Sequence, residues 1–384
     1  MTTRSWGLES LANTATASVR GQARTAALAN GGFVVVWHES QDSGTAIRAQ
    51  EFNALGFAIS GELTIAEGAT GLPVGNPAVA GMAGGGYLVT WTDAVGAINS
   101  QAVLEGVQGP NQTVATGGGV RENIVMAPMG TGSAVAWNVG TEIQLRLLDS
   151  AGNGPTLDMT VGESIGTKPA VAVSPNLARV AVAWQDATGV RVHLRDAAGV
   201  DIGGMAVSPS GRSAFNAQVV WLGNTTFAVA WEQDAVEPGI GTDIFMRLFA
   251  FNGGPNPVAL TDSFIANATR AGDQIAPKLV ALPSGGLVLA WHTEGDDGSA
   301  VWLQAFDAGG TRIGGEYLGS VPMARQAPPP PSPPCAMAAW RWPGAAARMA
   351  RRRWKATSTC RSSIRARASS PAVPAATSCS ATTR

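Results

Sequence analysis

The chain has 384 residues, of which 48 are Gly and 23 are Pro, and only 14% are charged. Many Gly residues between short apolar runs favour an all-β, turn-rich fold over a helical one. No apolar run approaches the roughly 18 residues that a membrane-spanning helix needs, which argues against a membrane span. The length suits one large repeat domain or two ordinary domains.

Charge divides the sequence into two regions. Residues 327–384 contain ten Lys/Arg and no Asp/Glu, whereas residues 1–326 hold 16 Lys/Arg and 27 Asp/Glu, a net charge of −11. All three Cys lie after residue 326, so the body has no disulfide framework. We predict a repeat domain over residues 1–326 and a separate basic tail over residues 327–384.

The N-terminal residues do not look like a secretory leader. Met1–Arg20 lacks the charged-then-apolar layout of a signal peptide. Gly7–Thr16 resembles Gly61–Thr70, the predicted fourth strand of the first repeat unit. We therefore expect residues 1–20 to supply a closing strand, which would complete the last unit of a ring and remove its free sheet edges.

A turn followed by an apolar run that ends in Trp recurs along the body. Residues 31–37 read Gly-Gly-Phe-Val-Val-Val-Trp, and residues 285–291 read Gly-Gly-Leu-Val-Leu-Ala-Trp. The six runs end at Trp37, Trp91, Trp137, Trp184, Trp231 and Trp291. A period near 50 residues is typical of the four-stranded blades of a β-propeller, and six blades are encoded.

One unit extends from residue 76 to residue 118. Strands are predicted at residues 77–80, 87–91, 98–103 and 112–115, each bounded by Gly, Pro or Asn. A Gln or Arg marks the third strand of each unit: Gln50, Gln101, Arg146, Arg195, Arg247 and Gln304. A turn that opens with Asp or Asn follows in most units, which predicts hairpins between the third and fourth strands.

The repeated side chains have two explanations each. The six Trp residues could form an aromatic binding surface or pack between adjacent blades, and their place at the end of an apolar strand favours packing. The repeated Gln or Arg could contact a ligand or bond between blades, and we expect bonds between blades.

The repeat pattern stops at the Pro-rich residues 328–334. The third base of each codon combined with the first two bases of the next gives a second reading of residues 336–344. That reading permits Asp-Gly-Gly-Val-Ala-Val-Ala-Trp, and its Trp falls about one period after Trp291. We interpret the tail as a disordered, out-of-frame translation of a seventh blade; the other interpretation is a genuine basic arm for nucleic acid or membranes.

No catalytic motif is found. His38 and His292 each follow a repeat Trp, and His193 lies in a third strand, a distribution that matches neither a zinc site nor a catalytic triad. Phosphate-binding and dinucleotide-binding fingerprints are absent. The acidic loops after two of the Trp residues offer calcium candidates, Asp42, Asp296 and Asp297. These loops lack regular ligand spacing, which favours solvated hairpin loops over a calcium site.

The unit over residues 285–316, with Gly-Gly-Leu-Val-Leu-Ala-Trp, Asp-Asp-Gly and Gly-Gly-Glu, resembles a bacterial repeat. It is similar to the Gly-Gly-Phe-Val-Val-Val-Trp repeats of hemolysin-type, calcium-binding secreted proteins. The resemblance covers about residues 7–319 and implies propeller-like blades, possible calcium binding and type I-like export to the cell surface or medium. The Gly-Gly-x-Gly-x-Asp nonapeptides that bind calcium in that family are missing.

We therefore expect a non-enzymatic, monomeric, secreted or surface module that binds a glycan or a protein ligand in adhesion. Nucleic acid is not an expected partner once the basic tail is interpreted as out of frame. The alternative is a carbohydrate-active enzyme of the propeller type, a glycosidase or lyase, which would need convergent carboxylates beside a His, Tyr or Arg cluster.

Overall fold

The computed structural model describes residues 11–14, 18–117, 119–154, 159–161, 166–235, 241–295 and 298–319. The described residues form 26 β-strands and no helix, so none of them belongs to a helix that could cross a membrane. The strands form six antiparallel sheets, one for each repeat Trp. The predicted all-β propeller with six encoded blades is confirmed; the predicted tail lies outside the described residues.

Each sheet is one blade, and consecutive strands pair within it. Blade 1 consists of β1 (Val19–Ala27), β2 (Phe33–Gln41), β3 (Gly44–Phe52) and β4 (Leu63–Ala69). Blade 2 consists of β5 (Gly75–Gly81), β6 (Tyr87–Thr92), β7 (Ile98–Leu104), β8 (Val107–Gln108) and β9 (Gln112–Ala115). Blade 3 consists of β10 (Arg121–Met129), β11 (Gly132–Val139), β12 (Glu142–Leu148) and β13 (Met159–Thr160).

Blade 4 consists of β14 (Gly166–Val173), β15 (Arg179–Asp186), β16 (Gly189–Asp196) and β17 (Asp201–Ala206). Blade 5 consists of β18 (Ala214–Trp221), β19 (Thr226–Asp234), β20 (Thr242–Ala250), β21 (Val258–Ala259) and β22 (Phe264–Ile265). Blade 6 consists of β23 (Asp273–Ala281), β24 (Leu287–Gly295), β25 (Gly298–Phe306) and β26 (Arg312–Leu318). In blades 2 and 5, two short strands pair with the third strand and share the fourth position.

The first strands of successive blades are the inner strands of the propeller. β1 contacts β5, and the same packing continues through β10, β14, β18 and β23. The described residues show no comparable packing between β23 and β1. The blades therefore form a continuous series from blade 1 to blade 6, with blades 1 and 6 at its ends.

The repeat Trp side chains pack between blades. All six are at most 4% exposed. Trp184 of blade 4 joins a cluster with Ala134 of blade 3, and Trp291 of blade 6 joins one with Ile244 of blade 5. The packing interpretation is confirmed. The interpretation of these residues as an aromatic binding surface is wrong, because the rings are buried between blades, where their large apolar surfaces stabilise the contact.

The repeated Gln and Arg residues divide into two groups. The amide of Gln50 donates to the Ser60 carbonyl at 2.8 Å, a bond within blade 1, and Gln101 and Gln304 also bond within their own blades. Arg195 of blade 4 donates to the Thr160 carbonyl of blade 3 at 2.7 Å. The expectation of bonds between blades is therefore wrong for Gln and right for Arg195, because the longer Arg side chain spans the gap.

The predicted turns between third and fourth strands are confirmed. The side chains of Asn53, Asp149, Asp196 and Asp307 each accept the backbone N–H groups two and four residues later, at 2.8–3.1 Å. An Asx side chain that replaces the backbone acceptor fixes such a turn locally. The same turn chemistry therefore recurs in blades 1, 3, 4 and 6.

Candidate functional site

Every inner strand carries a β-bulge opposite the repeat Trp of the same blade. In blade 1 the pairing shifts between Gly21, which pairs with His38, and Arg24, which pairs with Val36, so two residues face Trp37. The same shift occurs in the other five blades. A bulge bends its strand and leaves backbone groups outside the ladder, so six irregular sites recur at one level of the propeller.

The first residue of each bulge has a left-handed backbone. We call these residues the bulge ring: Gln22, Asn76, Asn123, Lys168, Asn216 and Ala276. Their φ angles lie between 49° and 54°. Left-handed backbone costs about 1–2 kcal/mol for an ordinary L-residue and is tolerated best by Gly and Asn, which explains the three Asn residues.

A second polar set lies directly behind the bulge ring. We call the residues that follow the repeat Trp the post-Trp set: His38, Thr92, Asn138, Gln185, Glu232 and His292. Asn123 Nδ2 donates to Asn138 Oδ1 at 2.8 Å, and Asn76 Nδ2 donates to Thr92 Oγ1 at 3.2 Å. The two sets thus form a hydrogen-bonded layer within each of these blades.

The same layer also connects neighbouring blades. Asn76 N donates to Gln22 Oε1 of blade 1 at 2.9 Å, and Asn216 N donates to Gln185 Oε1 of blade 4 at 2.9 Å. Ala276 N donates to a carboxylate oxygen of Glu232 of blade 5 at 2.7 Å. Backbone donors that the bulge frees are satisfied by side chains of the preceding blade.

Glu232 is the most buried charge in this layer, with 2% of its surface exposed. Its carboxylate also accepts Asn216 Nδ2 at 2.7 Å. Burial raises the pKa of Glu232, although the bonds from Ala276 and Asn216 and the charges of Lys168 and Lys278 act in the opposite direction. Desolvation penalises the ionised carboxylate more than these partners compensate.

Two ammonium groups flank Glu232 on the inner strands. Lys168 Nζ lies 2.9 Å from Asn216 Oδ1, and Lys278 Nζ lies 3.3 Å from Gln218 Oε1. Desolvation by the surrounding protein, together with the Arg24 charge, lowers the pKa of Lys278, whereas Glu232 raises it. Although protein surrounds Lys278, both lysine side chains retain solvent-accessible surface, so this part of the layer presents positive charge over a buried carboxylate.

The bulge ring is therefore suited to hydrogen bonding rather than to proton transfer. Gln22, Asn123 and Lys168 are exposed, and Asn76 and Asn216 are half-buried. The amide groups of Gln22, Asn76, Asn123 and Asn216 can both donate and accept, and the Lys168 ammonium can donate, which suits hydroxyl or peptide groups of a ligand. The Trp side chains are buried behind them and offer no stacking surface.

The three His residues do not form one site. His38 and His292 belong to the post-Trp sets of blades 1 and 6; partial burial lowers the pKa of His38 against a backbone bond with Val74. His193 lies on β16, with Nδ1 3.3 Å from Asp201 Oδ2. Burial lowers the pKa of His193 despite the Asp201 charge.

Of the three calcium candidates, only Asp42 lies within the described residues. Asp42 is exposed in the two-residue turn between β2 and β3, and Asp296 and Asp297 lie outside the described residues. No group of three or more His, Cys, Asp or Glu side chains converges within the described ranges.

A cleft of about 590 Å³ lies between blades 4 and 5. It is lined by Asp196 and Asp201 on one side and Phe251 on the other, with the Arg179 guanidinium 5.2 Å from the Phe251 ring. The pKa of Asp201 is lowered on balance: burial acts to raise it, but the hydrogen bond from Gly203 N and the Arg195 charge outweigh burial. Asp201 is thus an ionised acceptor here, not a proton donor.

Comparison with known proteins identifies the fold alone. No protein-family model and no curated protein matches the sequence. The chain is similar in structure to a Lactobacillus plantarum protein (16% identity, TM-score 0.53, 76% of this chain and 82% of that one). It is also similar to the Dos1 propeller (10% identity, TM-score 0.46, 76% and 68%) and to Sqt1 of Chaetomium thermophilum (14% identity, TM-score 0.46, 76% and 73%).

The bulge ring was missed in the sequence, although a signal for it exists. The first bulge residue stands 14–16 positions before the repeat Trp in every blade. In three blades Pro follows it, at Pro77, Pro169 and Pro277. Pro has no N–H to leave unpaired in a bulge, so an Xaa-Pro pair at this spacing indicates the irregularity.

Proposed function

We propose that the chain is a non-enzymatic binding module that holds a polar ligand, a glycan or a protein segment, against the bulge ring. One observation carries the proposal. All six blades place a left-handed bulge residue at the same level of the inner strands, and five of the six residues are amides or a lysine.

Backbone strain at a repeated position supports this proposal. A residue held in a sparsely populated backbone region costs about 1–3 kcal/mol and persists where the surrounding structure fixes it, commonly at ligand-binding sites. The post-Trp set fixes the bulges by hydrogen bonds within and between blades. The ring is therefore rigid before a ligand arrives, which lowers the ordering entropy that binding must overcome.

The placement of acidic groups favours binding over hydrolysis. A glycosidase needs an accessible carboxylic acid with a raised pKa beside a second carboxylate. Glu232 has the raised pKa, but it is buried and already accepts Ala276 N and Asn216 Nδ2. Asp201 in the cleft has a lowered pKa.

The resemblance of the repeat supports a cellular location for the module. The Gly-Gly-Phe-Val-Val-Val-Trp type of repeat is similar to regions of hemolysin-type secreted proteins. We therefore propose adhesion at the cell surface or in the medium, after type I-like export, as the setting of the binding function.

The proposal is tested with a glycan array and a peptide array probed with the full chain. A ring variant, Asn123→Ala with Lys168→Ala, removes two exposed ring side chains; Glu67→Ala, an exposed change on the outer strand β4, is the matched control. We expect the ring variant to lose bound spots that the control retains. Equal binding by both variants would place the ligand elsewhere, and turnover of a bound glycan would favour the enzyme alternative.

A further inference from the structure

One face of blade 6 differs from the same face of every other blade. Side chains of the second strand alternate, so that one set packs on the preceding blade and the other on the next. In blade 1, Val34 and Val36 belong to the cluster with blade 2, and in blade 5, Ala228 and Ala230 belong to the cluster with blade 6. Val288 and Ala290 occupy these positions in blade 6.

In blades 1–5 this face is almost completely buried. The residues equivalent to Val288 and Ala290, and to their third-strand neighbours Leu303 and Val301, are at most 1% exposed in all five blades. In blade 6, Val288, Ala290 and Leu303 are only half-buried, and Val301 is 38% exposed. Val280 on the inner strand is 62% exposed, whereas its equivalent Ala80 is 1% exposed. Blade 6 therefore has apolar residues at these positions, but no described blade packs against this face.

Blade 1 shows the complementary feature at the other end of the series. The repeat Trp of blades 2–6 packs on strands of the preceding blade, but Trp37 clusters with Val35, Phe52 and the N-terminal Ala12. Trp37 is still only 4% exposed. A short N-terminal segment thus covers the face that elsewhere receives a whole blade.

Hydrogen bonds show what that N-terminal segment corresponds to. Thr14 donates from its backbone N and from Oγ1, at 2.8 Å, to Glu62 of blade 1. Thr269 makes the same pair of bonds to Glu316 of blade 6, with Oγ1 at 2.7 Å. Residues 266–269 follow the fourth strand of blade 5. Residues 11–14 therefore enter blade 1 as if they too followed the fourth strand of a preceding blade.

We propose that the free face of blade 6, together with residues 11–14, is the docking surface for the first three strands of a seventh repeat unit. The unit is the one encoded in the shifted frame of residues 336–344, which permits the sequence Asp-Gly-Gly-Val-Ala-Val-Ala-Trp. Its Trp packs against Ala290 and Leu303, as Trp291 packs against Ala230 and Met246 of blade 5.

The test compares the full chain with a chain in which one base is restored before codon 335. Val301→Thr changes the free face, and Val190→Thr changes the equivalent Val of blade 4, which is 1% exposed. Each swap replaces one methyl group with a hydroxyl of similar size, so both variants should fold, and the hydroxyl is costly only where the position is buried. Thermal unfolding, gel filtration and binding of a dye specific for apolar surfaces are measured for each.

We expect Val301→Thr to leave the melting temperature of the existing chain unchanged and to lower the melting temperature of the restored chain by several degrees. Val190→Thr should lower the melting temperature of both chains by about the same amount. The existing chain binds the dye, and the restored chain does not. Equal destabilisation of the existing chain by both variants would show that the face is already covered. Loss of a dimer with Val301→Thr would assign the face to a second copy, and no effect in the restored chain would place the seventh unit elsewhere.

Discussion

At the scale of single residues, the Gly-Gly pair before the apolar run of blade 6 has two different tasks. Gly285 has φ of 88° and turns the chain. Gly286 lies so close to the third strand that an added Cβ would stand 2.3 Å from the Phe306 carbonyl oxygen. The pair is thus a turn residue followed by a close-approach residue, and only the second depends on the neighbouring strand.

The substitution Gly286→Ala should lower the free energy of unfolding by about 1–3 kcal/mol, because the methyl group would push β24 away from β25. Gly315→Ala in the same blade is the control, since its added Cβ would meet no atom within 4 Å. Denaturant unfolding of both variants measures the difference. Two equal changes would contradict the role assigned to Gly286.

Two buried glutamates should show opposite pH dependence. Burial raises the pKa of Glu232 from its ordinary 4.5. At pH values between the pKa of Glu232 in the unfolded state and its higher pKa in the folded state, the folded state binds more protons. The free energy of unfolding therefore falls as pH rises through this window, because the carboxylate ionises in a buried position. Glu232→Gln should therefore be more stable than the native chain at neutral pH, with the gap closing below about pH 4.5.

Glu39 provides the opposite case. Burial acts to raise its pKa, but bonds from Ser18 and Arg48 and the Arg48 charge lower it on balance. Arg20 and Arg48 lie 3.0 and 2.8 Å from its two oxygens. Its ionised form stabilises the fold above the unfolded pKa, and this stabilisation is lost as pH falls through the folded pKa. Glu39→Gln should destabilise at neutral pH; urea unfolding at several pH values checks both signs.

At the scale of strands, the inner strand is not a regular ladder. Its bulge faces the repeat Trp, so one large side chain on the second strand occupies the length of two residues on the first. The bulge also frees a backbone donor, which a side chain of the preceding blade accepts. Strand irregularity and blade-to-blade bonding are therefore two aspects of the same local structure.

Ala276 is the bulge residue least suited to its backbone, with φ of 54°. Ala276→Asn introduces the residue type found at three other bulges and should raise the free energy of unfolding by about 0.5–1 kcal/mol, because Asn tolerates left-handed backbone. Ala271→Asn, an exposed change nearby, is the control. Thermal unfolding measures both, and equal shifts would mean that the left-handed backbone is not the cause.

At the scale of the molecule, the protein is a series of blades stabilised by their neighbours. In repeat proteins, stability is approximately a sum of intrinsic terms and neighbour interfaces. Blades 2–5 have two packed faces, while blade 6 has one packed face and one on which Val301 is 38% exposed. The ends of the series are therefore its least stable part.

Amide hydrogen exchange should show this gradient. Amides of β24 and β25 in blade 6 should exchange faster than those of β15 and β16 in blade 4, because local opening of an end blade exposes less apolar surface. The comparison uses strands in equivalent positions of their sheets, so a difference in exchange rate reports the contribution of the neighbouring blade. Uniform protection of blades 4 and 6 would mean that the series is closed.

Much of the fold could be predicted from the sequence because its signals are local. The spacing of Trp37 to Trp291 set the blade period, and the turn residues set the hairpins, as Asp149 and Asp307 show. The candidate site was not predicted. His38 and His292 can be recognised in the sequence because each follows a repeat Trp, but Asn123 and Glu232 gain their importance only from partners on other strands and blades.

The strands, the turns and the number of encoded blades follow from the sequence alone, because strand length, alternation and turn chemistry act within a few neighbouring residues. The folded arrangement alone fixes where the bulges fall. It also makes Gln50 bond within its blade while Arg195 reaches the preceding blade, and it leaves Val301 exposed where Val190 is buried. Those properties depend on contacts with other strands and other blades, which local sequence pattern does not specify.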